Sequence, residues 1–230
     1  MSEKVAGAIE EAIVSGTYPV GSRLPSEQAL ADQFAVSRNV VREAFKMLME
    51  RGLLDILSGS GAYVSRPNSE ATSNALGRYL RLMGSQTPVG SLYEVRRVLE
   101  GSNVHLASQR ADQQGLETME TCLAQMERHE GSIERWVEAD LDFHLAIAAA
   151  THNPLFRMLL EPLVDQLRGV IAEGYVTEGA TTTGREAHQG IYRYISERRP
   201  DDAYRAMMQH LHDSEARVER FLAKRASKLG

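Results

Sequence analysis

The stretch that decides the fold is GSRLPSEQALADQFAVSRNVVREAFKMLMERGLL, residues 21–54, which places two helical segments on either side of a tight turn. Ser26 is a capping residue type and begins the first helix, which we expect to end at Phe34. Ser37 begins a second helix that runs as far as Arg51. Apolar residues recur along this second helix at the spacing of one buried face: Val40, Val41, Ala44, Phe45, Leu48 and Met49. This arrangement predicts a helix-turn-helix.

The flanking segments complete a small N-terminal domain. Residues 3–15 place apolar side chains on one helical face, which predicts a helix before the motif. After the motif, LLDILSGSGAYVSR (residues 53–66) has two short apolar runs around Ser-Gly-Ser-Gly, a pattern typical of a β-hairpin. We therefore expect a winged helix-turn-helix over residues 1–66. The polar residues 67–74 are expected to form a linker.

The remainder of the chain, residues 75–230, shows helical patterns throughout, so the protein is predicted to be mainly α. Gly, Pro and Asn residues separate segments that we expect to be helical over roughly 73–84, 91–110, 113–129, 132–150, 154–175, 183–198 and 200–226. Short connections between helices favour an antiparallel helical bundle.

The second helix of the motif carries the residues expected to read DNA. A recognition helix buries one face and leaves its N-terminal turn free for base edges. Arg can pair with guanine and Asn with adenine, while Ser, Lys and small wing residues can contact the backbone or approach a groove. The candidate DNA-binding residues are Arg23, Ser37, Arg38, Asn39, Arg42, Lys46, Ser60 and Gly61. The alternative is that these cations only form a solvated helix face.

Composition limits the class of protein. The net charge of −5 argues against a protein that coats nucleic acid non-specifically. Residues 1–66 hold seven basic and eight acidic side chains, and residues 67–230 hold 19 and 23, so neither part is basic overall. DNA contact therefore has to come from local placement of cations. The single cysteine, Cys122, excludes an intrachain disulfide and fits a reducing compartment. The N-terminus lacks the apolar core of a signal peptide, and no stretch is long and apolar enough to span a membrane.

The N-terminal motifs resemble those of the GntR superfamily of transcription regulators. The matching pieces are Gly21–Glu27, Leu30–Ala31, Val36–Arg38, Val41–Ala44, Leu48–Leu54 and the wing Gly59–Val64. The resemblance covers the whole first domain and implies a winged helix-turn-helix that binds an operator. One departure is Gln28, where many family members carry a basic residue, and it leaves the operator sequence open.

The second domain resembles, more loosely, the FCD ligand-binding domain of the FadR-like subfamily. The matching pieces are Leu92–Glu100, Asp140–His144, His152–Leu155, Glu186–Ile191 and Met207–Leu211. The resemblance implies a divalent metal held by the residues at the matching positions, Asp140, His144, His188 and His210.

The spacing of these four residues supports a metal independently. Asp140 and His144 are four residues apart, so both project from one helical face, and that face is otherwise apolar. His188 and His210 also align with apolar faces. A lone inward His is more often a hydrogen-bonded core residue, but four such groups are harder to explain without an ion. Imidazole and carboxylate ligands suit Zn²⁺, with Ni²⁺ and Mn²⁺ as alternatives.

Arg96 is the candidate effector-binding residue. In the subfamily the matching Arg faces the ligand cavity, and a guanidinium can grip a carboxylate with two hydrogen bonds. The alternative is an ion pair with Glu100, one helical turn further on. An Arg beside a metal favours a small organic acid as the effector.

The resemblances and the motifs together predict a cytoplasmic, homodimeric transcription regulator rather than an enzyme. We expect it to bind a pseudo-palindromic double-stranded operator, to act as a repressor, and to respond to an effector in its metal-containing second domain. A metal-dependent hydrolase with an appended DNA-binding module is the alternative, although the sequence offers no further inward carboxylate clearly placed as a general base. A purely structural DNA-bending protein would leave the inward polar residues without a purpose.

Overall fold

The structure is a computed structural model that describes residues 1–57, 59–66, 70–83, 89–175 and 180–229. The chain divides into two compact units, Met1–Thr72 and Ser73–Gly230. Residues 67–69 of the expected linker lie outside the described residues. The fourth helix begins at Glu70, inside the segment expected to be linker, because Glu and Ala at its start favour helix.

The first unit has three helices and a hairpin in the predicted order. They are α1 (Ser2–Val14), α2 (Glu27–Gln33), α3 (Arg38–Glu50), β1 (Leu54–Leu57) and β2 (Gly61–Val64). The predicted caps form as expected: the Ser26 hydroxyl accepts a hydrogen bond from the Ala29 amide at 3.1 Å, and the Ser37 hydroxyl accepts one from the Val40 amide at 3.4 Å. These caps fix where α2 and α3 begin, and therefore which residues form the first turn of α3.

The two strands of the wing pair in antiparallel register, with Leu54 opposite Val64 and Leu57 opposite Gly61. Gly61 has a φ of +116°, a conformation that side chains rarely adopt. The core of the unit lies between α1, α3 and the hairpin and includes Ile9, Val41 and Leu48, all fully buried. The mainly α winged helix-turn-helix predicted for this end of the chain is confirmed.

The second unit is helical throughout its described residues, as predicted. Its helices are α4 (Glu70–Met83), α5 (Val89–Arg110), α6 (Gln113–Arg128), α7 (Ile133–Ala149), α8 (Pro154–Gly174), α9 (Ala180–Ser196) and α10 (Pro200–Leu229). The long helix α10 packs along α5, α8 and α9, while α7 packs against α5, α6 and α8. Among the described helices, none combines the length and the apolar character needed to cross a bilayer.

Helix α7 is the central helix of this unit. Most of its residues are buried, including the consecutive residues Phe143–Ala148, while Glu134, Glu138 and Asp142 mark one exposed side. A helix with such a wide apolar face packs against several neighbours at once. Two polar residues of α7, Asp140 and His144, are nevertheless buried among these apolar side chains, and they mark the position of the candidate site.

Candidate DNA-reading surface and candidate metal centre

Helix α3 presents its predicted DNA-reading residues to solvent. Its apolar side is fixed in the core by Val41, Ala44 and Leu48. The side chains of Arg38 and Arg42 are 57% and 51% exposed on the opposite side. The remaining predicted residues near them, Ser37, Asn39 and Lys46, are exposed as well, and so is Arg23. The exposed end of α3 is therefore polar and cationic, and the buried side of the same helix holds it in position.

Glu27 at the start of α2 ties the two arginines together, a contact that sequence reasoning missed. Its carboxylate accepts hydrogen bonds from Arg42 Nε at 3.3 Å and Arg42 Nη2 at 3.0 Å, and from Arg38 Nη2 at 3.5 Å. The hydrogen bond from Arg42 lowers the pKa of Glu27, so this carboxylate is ionised at neutral pH. Glu27 thus uses the side edge of the Arg42 guanidinium, and it makes no hydrogen bond to Nη1, on the end-on edge formed by Nη1 and Nη2. No spacing rule relates residues 11 and 15 positions apart in different helices.

The wing residues lie against Arg23. Arg23 forms an isolated antiparallel bridge with Tyr63 of β2, and a Cβ on Gly61 would come within 3.0 Å of Arg23 Nε. The Ser60 and Tyr63 hydroxyls are 2.7 Å apart and share a hydrogen bond. The structure thus brings together three of the predicted DNA contacts, Arg23, Ser60 and Gly61, at one end of the hairpin.

Replacing Glu27 with Gln tests whether this carboxylate orients Arg42 for a base. We expect the preference for a selected operator over a scrambled duplex to fall at least several-fold, because the guanidinium loses its fixed orientation. Affinity for the scrambled duplex should hold or rise, because a negative charge beside the phosphates is removed. Fluorescence anisotropy at fixed salt measures both affinities. Glu43→Gln is the matched control, since it also removes a carboxylate near the arginines, but the hydrogen bond of Glu43 goes to Lys46 at 2.8 Å on α3 and not to Arg42. An unchanged preference in Glu27→Gln contradicts the orienting role.

The second site is a cluster of buried metal-ligand residues on three helices. Asp140 and His144 come from α7, His188 from α9 and His210 from α10. Each is at most 3% exposed, and one potential ligand atom from each lies within 4.8 Å of every other. The structure therefore gathers all four residues that the sequence nominated.

Three of the distances between potential ligand atoms are close to those around a bound metal ion. His144 Nε2 is 3.4 Å from His188 Nε2 and 3.3 Å from His210 Nε2, and His188 Nε2 is 3.1 Å from Asp140 Oδ1. Zn–N bonds of about 2.0–2.1 Å in a tetrahedral site hold two nitrogens about 3.3–3.4 Å apart. Burial lowers the pKa of His210 well below its usual value. That ring is thus neutral and offers a lone pair.

Hydrogen bonds on the far side of two rings set which nitrogen faces the cluster. His188 Nδ1 donates to the backbone carbonyl of Gly184 at 2.7 Å, since a carbonyl oxygen can only accept. His144 Nδ1 donates to the ionised carboxylate of Glu100. In the neutral tautomer that these hydrogen bonds select, Nε2 is the nitrogen with the lone pair, and in both rings it faces the cluster. Metal-binding histidines are held by outer partners of this kind, so the residues present fit a divalent cation.

Arg96 is fully buried and pairs with Glu100, with Nε 2.6 Å from Oε1. The ion-pair alternative is therefore present, yet Arg96 Nη1 has no hydrogen-bond partner in the described part of the chain. Asn103, further along the same helix and fully buried, also lacks a partner for both atoms of its amide. Burial raises the pKa of Glu100, but Arg96 and His144 lower it by more than burial raises it, so that the pKa is about 2.

Sequence reasoning did not assign Glu100 or Asn103 to the site. Their positions four and seven residues after Arg96 place all three on one face of α5, and this spacing could have indicated them. Among the described residues, the four other histidines at 105, 129, 152 and 212 lie outside the cluster, as expected.

Gly184, whose carbonyl accepts the hydrogen bond of His188, has no room for a side chain. A Cβ there would lie 2.8 Å from the Trp136 ring and 2.9 Å from the Tyr175 hydroxyl. Gly184→Ala should push α9 away and disturb the carbonyl that orients His188. We expect a loss of stability of about 1–3 kcal/mol and a fall in metal affinity. Thermal unfolding and a metal titration against a chromophoric chelator measure the two effects.

Gly190 provides the control on the same helix, because a Cβ there would meet nothing within 4 Å. Gly190→Ala should leave metal affinity unchanged and raise stability by up to about 1 kcal/mol, since Ala favours helix over Gly. If both variants behave alike, close packing at Gly184 does not matter for the site.

Comparisons with known proteins match both units of the chain to known domains. The family model described as bacterial regulatory proteins, gntR family, matches residues 1–64, and the FCD domain model matches residues 91–213. The chain is 32% identical to the HTH-type transcriptional regulator LutR of Bacillus subtilis, covering 86% of this chain and 92% of that protein. It is 26% identical to the galactonate operon transcriptional repressor of Escherichia coli, covering 95% and 96% of the two chains. The solved structure of Streptococcus agalactiae GntR superposes with a TM-score of 0.67 at 25% identity, covering 94% of this chain and all of that one.

Proposed function

The chain belongs to the GntR family of bacterial regulatory proteins and carries an FCD domain, and we propose that it is a sequence-specific transcriptional repressor controlled by a small organic acid. The observation that carries the proposal is the joint presence of exposed arginines on the first turns of α3 and a buried polar site in the helical unit. The first supplies recognition of DNA, and the second supplies a place for a ligand.

For DNA recognition we assign base contacts to Arg38, Asn39 and Arg42, which lie at the N-terminal end of α3. The end-on edge of Arg42 suits guanine O6 and N7, and Asn39 suits adenine. Ser37 and Lys46 would contact phosphates, and Arg23 with the wing residues Ser60 and Gly61 would contact the backbone or a groove. A homodimer would present two such helices to a pseudo-palindromic operator. We place this activity in the cytoplasm.

For the second unit we propose that Asp140, His144, His188 and His210 hold a divalent ion, with zinc favoured over nickel and manganese. The three imidazoles and one carboxylate match the ligand preferences of zinc. Bound there, the ion would offer a positive charge to an anionic oxygen ligand. The protein's own part is to hold the four side chains in place and to keep bulk water out, because all four are buried.

The charges buried in this unit favour an anionic effector. Three described side chains that carry a full charge are buried: Arg96, Glu100 and Asp140. Their net charge is −1 without the ion and +1 with a divalent ion in place. A single carboxylate would neutralise the loaded site, and the unpartnered Arg96 Nη1 and Asn103 amide could bind it.

The hydrolase alternative needs a free carboxylate to act as general base. Among the described residues, neither of the two carboxylates buried in the core is free for this role, because Asp140 is assigned to the metal and Glu100 pairs with Arg96 and His144. We therefore propose regulation rather than catalysis. Turnover of an ester and phosphoester panel by the metal-loaded protein would overturn this choice.

Arg42→Ala tests the assignment of DNA contacts. Loss of a base contact should weaken binding to a selected operator by about 1–3 kcal/mol and relax specificity at one position. Lys46→Ala should instead weaken binding to every sequence and lower the salt slope by about 1, as expected for a phosphate contact. Anisotropy titrations over a range of salt distinguish the two. Arg205→Ala is the control, because Arg205 is an exposed arginine on α10 that pairs with Asp202. Failure to bind any sequence selectively, with or without carboxylates, would overturn the proposed function.

His210→Ala tests the metal centre, and His212→Ala is its matched control. His210 is buried in the cluster, whereas His212, two positions along the same helix, is exposed. We expect His210→Ala to lose most of the bound metal and the stabilisation that metal binding provides, because binding to the folded state raises its stability. His212→Ala should retain both. Elemental analysis and thermal unfolding with and without a chelator provide the readout, and equal metal content in the two variants would refute the site.

A further inference from the structure

A continuous chain of contacts runs from Arg96 to a metal-ligand atom. Arg96 Nε donates to one oxygen of Glu100 at 2.6 Å, and the other oxygen of Glu100 accepts the hydrogen bond of His144 Nδ1. The opposite nitrogen of that ring, Nε2, is the atom that meets the other two histidines. All three residues of the chain are about 1% exposed. Water does not compete for any of these contacts.

Each member of this chain depends on the next. Glu100 is a carboxylate buried in a helical core, and its position is fixed by hydrogen bonds to both of its partners. His144 can rotate about its side-chain bonds, and the hydrogen bond to Glu100 determines that Nε2 rather than Nδ1 faces the cluster. Arg96 does not touch the cluster in any contact that the structure gives; it reaches His144 through Glu100.

We propose that Glu100 is a positioning residue that transmits the state of Arg96 to the metal-binding atom of His144. When Arg96 holds one oxygen of Glu100, the other oxygen is aimed at His144, and the ring is aligned for a metal. A change at Arg96 then alters metal affinity without any contact between Arg96 and the ion. This inference rests on the proposed function, in which the same guanidinium binds the effector, and it gives effector and metal a reciprocal influence on each other.

If Arg96 acted only through its charge, replacing it would have the opposite effect on metal affinity. Removing a buried positive charge close to a cation site strengthens cation binding if charge alone acts. The chain of contacts from Arg96 through Glu100 to His144, which we call the relay, predicts weaker metal binding, because Glu100 loses the partner that holds it in place. The sign of the change in metal affinity therefore separates the two explanations.

The test is a double-mutant cycle on metal affinity, with Zn²⁺ or Co²⁺ as the only added ligand and the full-length chain throughout. Glu100→Gln preserves shape but removes the charge, and it should lower affinity about 10- to 100-fold, as is typical for the outer partner of a metal-binding His. Arg96→Met should also lower it. The double variant should bind about as weakly as Glu100→Gln alone, since both changes break one chain.

Two further variants guard against unfolding and general damage to the core. Arg96→Lys retains a cation beside Glu100 and should recover part of the affinity lost in Arg96→Met. Ser108→Ala removes a buried hydroxyl of the same helix, bonded to the Val104 carbonyl at 2.7 Å and not to the cluster, and should bind metal as the wild type does. Circular dichroism checks that each variant is folded, and if Arg96→Met does not fold, Arg96→Lys alone and combined with Glu100→Gln completes the cycle.

The outcomes distinguish the relay from the metal centre itself. Additive effects, or tighter metal binding in Arg96→Met, overturn the relay while leaving the four-residue centre intact. Absence of metal binding by the wild type overturns the proposed metal centre. Non-additive losses with partial recovery by Arg96→Lys support the relay.

Discussion

The second unit depends on one constraint: ionisable groups that are buried in a helical core must all find partners. An unpaired buried charge costs far more than a helical bundle gains from any single contact. Asp140 and His144 can occupy the central helix only because α5, α9 and α10 bring complementary groups to them. The positions of these helices are therefore tied to the polar cluster as much as to the apolar residues around it. The close packing at Gly184 is one result, since the helix backbone itself supplies the acceptor for His188.

In the first unit, by contrast, cationic side chains have to stay accessible to DNA. Its core needs only one side of α3, so the other side can carry Arg38 and Arg42 in solvent. Exposed ion pairs contribute little to stability, so the hydrogen bonds to Glu27 can orient Arg42 without trapping it. This arrangement also explains how a unit with more acidic than basic side chains can still bind DNA. Glu27 positions the two arginines through its hydrogen bonds, and for DNA binding the local placement of cations matters more than the total charge of the unit.

The parts of this structure that follow from local rules could be predicted from the sequence. Capping serines, turn glycines and apolar periodicity define the helices and the hairpin closely, and the four inward polar residues could be nominated because each interrupts an apolar face. Contacts between distant segments could not be predicted in this way. Nothing in the sequence pairs Glu27 with Arg42. From the sequence, Glu100 was considered only as an ion-pair partner that could occupy Arg96 in place of an effector, whereas in the fold it bridges Arg96 to His144. Asn103 was missed because a buried amide becomes notable only once its lack of partners is visible.

Arg42 and Arg96 show how burial decides what an arginine can do. Both are held by a glutamate, but Arg42 is half exposed and Arg96 is 1% exposed. An exposed guanidinium can meet a base where it stands, whereas the groups around the buried Arg96 have to move before a ligand can reach it. Binding of the proposed effector at Arg96 would then be coupled to a change in packing. A ligand that binds one packing better than another shifts the population toward it, which is the physical requirement for control of a regulator by a small molecule.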